Sequence, residues 1–238
     1  MNPSKFILAC ATVVCLGAYS TTPAQAAVIT INNYSFENAT GYWAEANPPS
    51  SWTGAGSNLT AGGSWNASVG LIGSITGGDG LNMLDIHVDT GGSGTVTGSA
   101  WVSTNSLGTY AANTIYTLTV AIATPNPWAT PLNSIIALGT DGTNPGSALA
   151  SKTTNVGSLS STAFQDITLT LDTSVVTGAV GQNIVVLLEH NATTGALYGR
   201  DIFYDNVRLT SAVPEPATWG LIAFSLTAVM VCHRRRNS

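Results

Sequence analysis

Residues 116–122 read YTLTVAI, and this stretch decides the fold class. Large apolar side chains at 116, 118, 120 and 122 alternate with threonine or alanine at 117, 119 and 121. A strand with one buried face has this two-residue period, because successive side chains point to opposite sides of a sheet. An amphipathic helix would instead repeat its apolar residues every three or four positions. The stretch therefore predicts a β-strand.

The same alternation, or a short apolar run, recurs on both sides of this strand. Further strands are predicted at 28–31, 81–88, 95–102, 134–138, 167–171, 184–190 and 202–209. Clusters rich in glycine, such as Gly77-Gly78-Asp79-Gly80, separate them and favour tight turns. About eight short strands spaced by turns predict an all-β fold, an antiparallel β-sandwich of jelly-roll type. The segment 41–80 has the least regular pattern, and no strand is predicted there.

The N-terminus has the pattern of a secretory signal peptide, which predicts a short helix that is removed on export. Lys5 provides the positive charge, residues 6–18 are apolar, and Ala24-Gln25-Ala26 matches an A-x-A cleavage site. We therefore predict a signal peptide at 1–26 and a mature domain at 27–212. The sequence predicts export from the cytoplasm.

The last twenty-six residues, 213–238, have three parts. Pro214, Glu215 and Pro216 come first, followed by the uncharged stretch 217–232 and a basic end with Arg234, Arg235 and Arg236. The uncharged stretch predicts a transmembrane helix, and the arginines favour the cytoplasmic side. Its sixteen residues are fewer than the usual length of about 20 for a stable span. A transient sorting segment fits this length, and an ordinary single-pass anchor is the alternative.

This tail resembles the PEP-CTERM sorting signal of Gram-negative bacteria, which combines a Pro-Glu-Pro motif, a short transmembrane segment and a basic cluster. The resemblance covers 213–238, and it implies an exosortase as partner, recognition at the inner membrane, and an association with exopolysaccharide and biofilm. It implies a final location at the cell surface or in the extracellular matrix. Whether the tail is cleaved or retained stays open.

Composition narrows the partners of the domain between these two segments. It contains no cysteine, so it folds without disulfides. Three basic residues, Lys152, Arg200 and Arg208, stand against eleven carboxylates. This acidic balance argues against nucleic acid as a partner.

The two ends of the domain, INNYSFENATGYW at 31–43 and IFYDNVRLT at 202–210, resemble the ends of galactose-binding-like jelly rolls, including many carbohydrate-binding modules. The resemblance implies a structural Ca²⁺ held by Glu37 and Asp205. Simple alternation also places Asp205 on one face with Phe203, Val207 and Leu209, where an unpaired carboxylate is costly. The alternative is that Asp205 accepts hydrogen bonds from loop amides and Glu37 is a surface residue.

A search for chemistry finds no catalytic motif. The domain has two histidines, His87 and His190, each at the end of an apolar strand pattern, and both are predicted to be solvated. There is no H-E-x-x-H, G-x-S-x-G or C-x-x-C sequence. Asp79, Asp85 and Asp89 lie close together in sequence, so a glycosidase carboxylate pair is a remote alternative. We therefore predict that the domain is not an enzyme and has no catalytic residues.

Binding of carbohydrate is predicted instead, because aromatic rings stack on sugars. The candidate ligand-binding residues, which lie mainly outside the alternating strands, are Tyr42, Trp43, Trp52, Trp65 and Trp128. The alternative for each is packing in the core, where tryptophan is commonly found. The predicted function is a non-catalytic surface protein that binds glycans of the exopolysaccharide. A purely structural surface or biofilm protein without a specific ligand is the alternative.

Overall fold

The computed structural model describes residues 26–38, 51–57, 64–89, 96–102, 107–125, 132–140, 148–192 and 200–214. The strands are β1 (Ala27–Ile29), β2 (Trp52–Ser57), β3 (Ser64–Leu71), β4 (Asn82–Asp89), β5 (Val96–Val102), β6 (Ile115–Ala123), β7 (Leu132–Gly139), β8 (Ala148–Asn155), β9 (Gln165–Asp172), β10 (Val185–Ala192) and β11 (Arg200–Ala212). The described residues contain no α-helix and only two short 3-10 turns, at Val156–Ser158 and Thr177–Ala179. The predicted all-β class is confirmed.

Two antiparallel sheets form the domain, which is one compact unit over Ala26–Ala212. Sheet A has the order β3-β4-β11-β6-β9, with β1 paired to the end of β11, and sheet B has the order β2-β5-β10-β7-β8. Every ladder between named strands is antiparallel. The two sheets pack face to face as a β-sandwich.

The main core lies between the sheets and explains why the alternating strands form. Leu118, Val120 and Ile122 of β6 are fully buried in it, together with Leu84 of sheet A and Leu188 of sheet B. Tyr204 also crosses this core: its hydroxyl donates to the Glu189 carbonyl oxygen at 2.6 Å and accepts from Ser134 Oγ at 2.9 Å. A polar group with these partners can be buried without a large penalty.

A smaller cluster covers part of the outer face of sheet A. It consists of Ile72, Met83, Ala123 and Phe203, with Ile75 and Phe164 packed against it. The segment between β3 and β4 supplies two of these residues, so it folds back over the sheet. Backbone bonds between Thr76 and the chain at Thr162 and Phe164 hold it there.

Sequence patterns missed three strands. β2 and β3 lie in the segment 41–80, where no strand was predicted, and β8 lies between two predicted strands. β8 is an edge strand with largely exposed side chains, so it has no apolar alternation to detect. The eight predicted strands all form, with ends shifted by a few residues.

Residues 1–25 of the predicted signal peptide 1–26, and the predicted sorting tail from 215 onward, lie outside the described residues. Among the residues that are described, no helix is long and apolar enough to cross a membrane. The predicted helix at 217–232 and the residues Glu215, Pro216 and Arg234–236 therefore stay predictions. Pro214 is the last described residue and is exposed.

Candidate active site

The outer face of sheet A carries three titratable side chains in one patch. In β4, Leu84, Ile86 and Val88 point into the core, so Asp85 and His87 between them point outward. In β11, Asp201 lies directly opposite His87, and Phe203 lies opposite Asp85. This patch of Asp85, His87 and Asp201 is the candidate active site.

Asp85 is the buried member of the patch. Only 2% of its surface is exposed, and its Oδ1 has no hydrogen-bond partner among the described residues. Phe203 and Met83 of the smaller cluster are its neighbours on the same face. Burial raises the pKa of the Asp85 carboxyl well above its usual range, and the nearby negative charge of Asp201 raises it further. The neutral, protonated acid is therefore favoured.

His87 and Asp201 form the more accessible side of the patch. His87 Nδ1 lies 2.5 Å from Asp201 Oδ1, and the two side chains keep 34% and 25% of their surfaces exposed. The Thr124 hydroxyl donates to the Asp201 backbone carbonyl at 2.9 Å, which ties this end of β11 to the end of β6. The prediction that His87 is a solvated residue is wrong, because it is half-buried and paired with a carboxylate.

The prediction that His190 is solvated is also wrong. It comes from β10 of sheet B and is fully buried between the sheets, with no exposed surface. Its Nδ1 forms a hydrogen bond of 2.8 Å with the carbonyl oxygen of Ile86. Ile86 lies between Asp85 and His87 in the chain. Burial lowers its pKa to about 4, so the ring is neutral at ordinary pH.

Of the other two buried carboxyls among the described residues, Glu189 and Asp205, the first lies on the opposite side of the sandwich. Glu189 is 7% exposed on the outer face of sheet B, two residues after the buried Leu187. Burial raises its pKa, and a hydrogen bond from Asn191 opposes the shift. Among the described residues, only the Asp85 patch combines a buried acid with a histidine and a second carboxylate.

The nominated calcium residues, Glu37 and Asp205, both hold the loop before β4. Glu37 Oε1 accepts from the backbone amides of Leu81 and Asn82, each at 2.8 Å. Asp205 Oδ2 accepts from the Asp79 amide at 2.6 Å, and its Oδ1 accepts from the Asn206 amide at 2.7 Å. Asp205 therefore accepts hydrogen bonds from loop amides, as the alternative to a calcium ligand predicted.

The loop held by Glu37 and Asp205 has an excess of negative charge. This excess bears on whether a cation fits there. Burial raises the pKa of Asp205 to about 7, and repulsion from Asp79 and Glu37 contributes to the increase. The Asn82 side-chain oxygen is a buried acceptor without a partner among the described residues, and its Nδ2 donates to the Glu37 carbonyl. The described part of the chain holds no group of three or more histidine, cysteine or acidic side chains suited to a metal. Amide and backbone oxygens would therefore have to complete a site.

A β-bulge explains Asp205, and it corrects the predicted face. From Asp205 to Arg208 the chain takes three steps against two on β6, from Ala121 to Thr119. Asn206 has a positive φ of 46°. The extra residue reverses the alternation, so Val207 and Leu209 enter the main core, whereas Asp205 stays on the outer face with Phe203. The prediction that all four share one face is wrong.

Of the predicted aromatic ligands, the structure describes only the side chain of Trp52. It is 5% exposed, its ring centroid lies 5.2 Å from that of Phe36, and its Nε1 donates to the Asn33 carbonyl at 3.2 Å. Trp52 thus packs in the core, as the alternative interpretation had it. Trp65 lies in β3, whose side chains are not described, and Tyr42, Trp43 and Trp128 lie outside the described residues.

Solved structures share this fold at low sequence identity. A Stig cyclase from Fischerella sp. TAU in complex with (3Z)-3-(1-methyl-2-pyrrolidinylidene)-3H-indole matches with a TM-score of 0.56 at 21% identity, over 80% of this chain and all of that chain. A cyclase from the same source in complex with 4-(1H-indol-3-yl)butan-2-one gives 0.55 at 20% identity, over 80% of this chain and 100% of the other. A β-sandwich carbohydrate-binding module gives 0.46 at 16% identity, over 80% of this chain and 63% of that chain, a likeness too weak to bear on function.

The family comparison overturns the predicted function. No curated protein matches the chain significantly. The family model described as HpiC1 cyclase matches residues 27–210. Cyclases are enzymes, so the predictions of a non-catalytic glycan-binding surface protein and of no enzyme activity are both wrong. Sequence motifs missed this because the candidate site, a buried aspartate beside a cross-strand pair, leaves no local signature. Since the match covers most of the chain, the chain belongs to the HpiC1 cyclase family.

Proposed function

We propose that this protein is an acid-promoted cyclase and that Asp85 is its general acid. A cyclase that protonates its substrate needs a carboxyl group that is still protonated at neutral pH. Two features of Asp85 shift its pKa in this direction: it is 2% exposed among apolar neighbours, and the negative charge of Asp201 lies nearby. This burial of a carboxyl beside a second carboxyl is the observation that supports the proposal.

The proposed substrate is an apolar, electron-rich aromatic molecule of the indole class. Two related cyclases are described in complex with indole compounds. In this chain the surroundings of Asp85 are also apolar, with Met83 and Phe203 on the same face. Protonation of a side-chain double bond would create a cation, which the aromatic ring attacks to form a new ring. The ring closure would be an isomerisation, with no cofactor consumed.

The test uses the purified domain and indoles that carry a pendant alkene. The wild-type chain should rapidly convert such an indole into an isomer of equal mass. Mass spectrometry and NMR monitor the conversion. Asp85→Asn should lower the rate at least about a hundredfold, which is the lower end for loss of a general acid. Asp166→Asn removes an exposed carboxylate from the same sheet and should leave the rate unchanged. Equal rates for the Asp85→Asn and wild-type chains would refute the assignment.

We also propose a structural Ca²⁺ at the loop that Glu37 and Asp205 hold. The mutual repulsion of Glu37, Asp79 and Asp205 supports it, because a cation would relieve that repulsion. Glu37, Asp205 and the Asn82 oxygen would provide ligands, and the ion would brace the loop. Melting curves with added Ca²⁺ and with a chelator test this, and identical curves would refute it.

We assign the finer topology to a jelly roll. Its support is the strand order: β4, β11, β6 and β9 lie side by side in sheet A, and β5, β10, β7 and β8 in sheet B. We further propose that the domain acts after export, directed by the segment 1–26, and that an exosortase at the inner membrane processes 213–238. Fractionation of cells with and without Pro214→Ala tests the tail, since an unchanged location and length would count against it.

A further inference from the structure

The candidate active site contains a second pair of groups that the general acid alone does not explain. His87 and Asp201 face each other directly across β4 and β11, with 2.5 Å between Nδ1 and Oδ1. Asp85 lies two residues from His87 on the same face of β4, so its Cα is about 7 Å away. One substrate ring could therefore reach both Asp85 and His87.

The contact with Asp201 fixes the chemistry of the His87 ring. A carboxylate beside Nδ1 accepts the proton of Nδ1, so the neutral imidazole carries its basic lone pair on Nε2. Asp201 also orients the ring, and the Thr124 bond to the Asp201 backbone fixes the position of Asp201. An oriented imidazole beside a protonated carboxyl is the arrangement of one base and one acid.

We propose that His87, oriented by Asp201, is the catalytic base that removes the proton released by ring closure. This inference rests on the proposed function. Asp85 would give its proton to a substrate carbon, and the aromatic ring would attack the resulting cation to form a carbon–carbon bond. Nε2 of His87 would then take the proton from the attacked ring carbon, and the electron pair of that C–H bond would restore aromaticity. Transfer of this proton through solvent back to Asp85 completes a cycle in which nothing is oxidised or reduced.

A purely structural ion pair is the competing explanation. Half-exposed pairs of this kind contribute little to stability. A structural pair would leave proton transfer to a bound ring unaffected as long as the fold persists. Proton transfer to and from a simple probe therefore separates the two explanations.

The experiment follows hydrogen–deuterium exchange at C3 of indole in D₂O by ¹H NMR. Exchange needs an acid that delivers a deuteron to C3 and a base that removes the original proton. The wild-type chain should accelerate this exchange, and His87→Ala should lower the enzymatic rate at least tenfold with little change in indole affinity or melting temperature. Imidazole in solution should restore exchange to His87→Ala but not to Asp85→Asn. His87→Gln provides a second variant if the alanine variant is unstable, and Asp166→Asn is the control for an exposed ion pair.

The possible outcomes distinguish a wrong assignment of His87 from a wrong proposed function. If Asp85→Asn abolishes exchange and His87→Ala exchanges at the wild-type rate, the assignment of His87 is wrong and the general acid stands. If His87→Ala loses exchange but imidazole does not restore it, His87 has a structural role only. Full exchange by Asp85→Asn would overturn the proposed function itself. If the wild-type chain binds indole but does not catalyse exchange, the assignment of His87 as the base is wrong. If the wild-type chain does not bind indole, the proposed substrate class is wrong.

Discussion

The Nδ1 atom of His190, in sheet B, lies 2.8 Å from the carbonyl oxygen of Ile86, in sheet A. This bond crosses the core directly behind the candidate active site. The ring of His190 is fully buried, and its Nε2 has no hydrogen-bond partner among the described residues. A proton on Nε2 would therefore be poorly stabilised, which is the physical reason for the low pKa of His190.

Acid should destabilise the fold through His190. Its pKa is about 4 in the folded chain, against 6.5 when unperturbed, so the unfolded chain binds a proton first as the pH falls. The contribution is complete above pH 6.5 and is lost between pH 6.5 and 4, a change of roughly 3 kcal/mol. Urea denaturation at several pH values should show this loss in the wild-type chain but not in His190→Asn, which keeps a donor near Nδ1. Parallel pH profiles for the two chains would contradict the prediction.

Asp205 should give the opposite slope in calcium-free buffer. Its pKa is raised to about 7 in the folded chain, so the unfolded chain loses its proton first as the pH rises. The free energy of unfolding should fall by a few kcal/mol from about pH 4 to 7, since each pKa unit is worth about 1.4 kcal/mol. Asp205→Asn should lack this fall. Added Ca²⁺ should abolish it in the wild-type chain, because a bound cation favours the carboxylate. If Ca²⁺ leaves the slope unchanged, the proposed ion is not there.

Gly80→Ala should disrupt the Glu37 loop. Gly80 has a φ of +86°, and a Cβ atom there would overlap the Glu37 carboxylate. We expect a loss of more than about 2 kcal/mol of stability and of the response to Ca²⁺. Gly108→Ala is the matched control, because Gly108 has a φ of +80° with open space around it. That variant should lose only about 1–2 kcal/mol, the penalty of the backbone conformation. Equal losses for both variants would show that the carboxylate contact is unimportant.

Tyr204 and Ser134 should be energetically coupled. The tyrosine hydroxyl donates to Glu189 and accepts from Ser134 inside the core. Tyr204→Phe leaves the Ser134 hydroxyl and the Glu189 carbonyl without this partner, which should cost about 1–3 kcal/mol. Ser134→Ala should cost less, and the double variant should lose less than the sum of the single losses. Chemical denaturation of the four chains measures the coupling, and strict additivity would argue against the bond.

The sequence predicts strands well where one face is buried and the other is not. Burial in β6 follows the sequence alternation from Ile115 to Val120, and it ends there because Ala121 and Ala123 on the other face are buried as well, Ala123 in the smaller cluster. β2, which reads WTGAGS, and the exposed β8 are strands because neighbouring strands pair with them, which no local pattern reveals.

The candidate active site was only half visible in the sequence. Spacing of two residues in β4 already places Asp85 and His87 on one face. Asp201 joins them only through the pairing of β4 with β11, over a separation of 114 residues. Burial of Asp85 likewise depends on Phe203 and on the segment that folds over the sheet, so its protonation state could not be inferred from the chain alone. Absence of a short motif therefore did not mean absence of an enzyme.

The bulge at Asn206 also determines which mutations β11 can accept during evolution. Substitutions of Asn206 act locally, since they alter one left-handed residue. Deletion of Asn206 would remove the extra residue and still leave Val207 and Leu209 facing the core, because simple alternation from Tyr204 then runs through both of them. Descendants of this gene can therefore lose the bulge residue without changing the faces of the strand, whereas one more residue inserted into the regular ladder between 205 and 207 would turn Val207 and Leu209 outward and should be purged by selection.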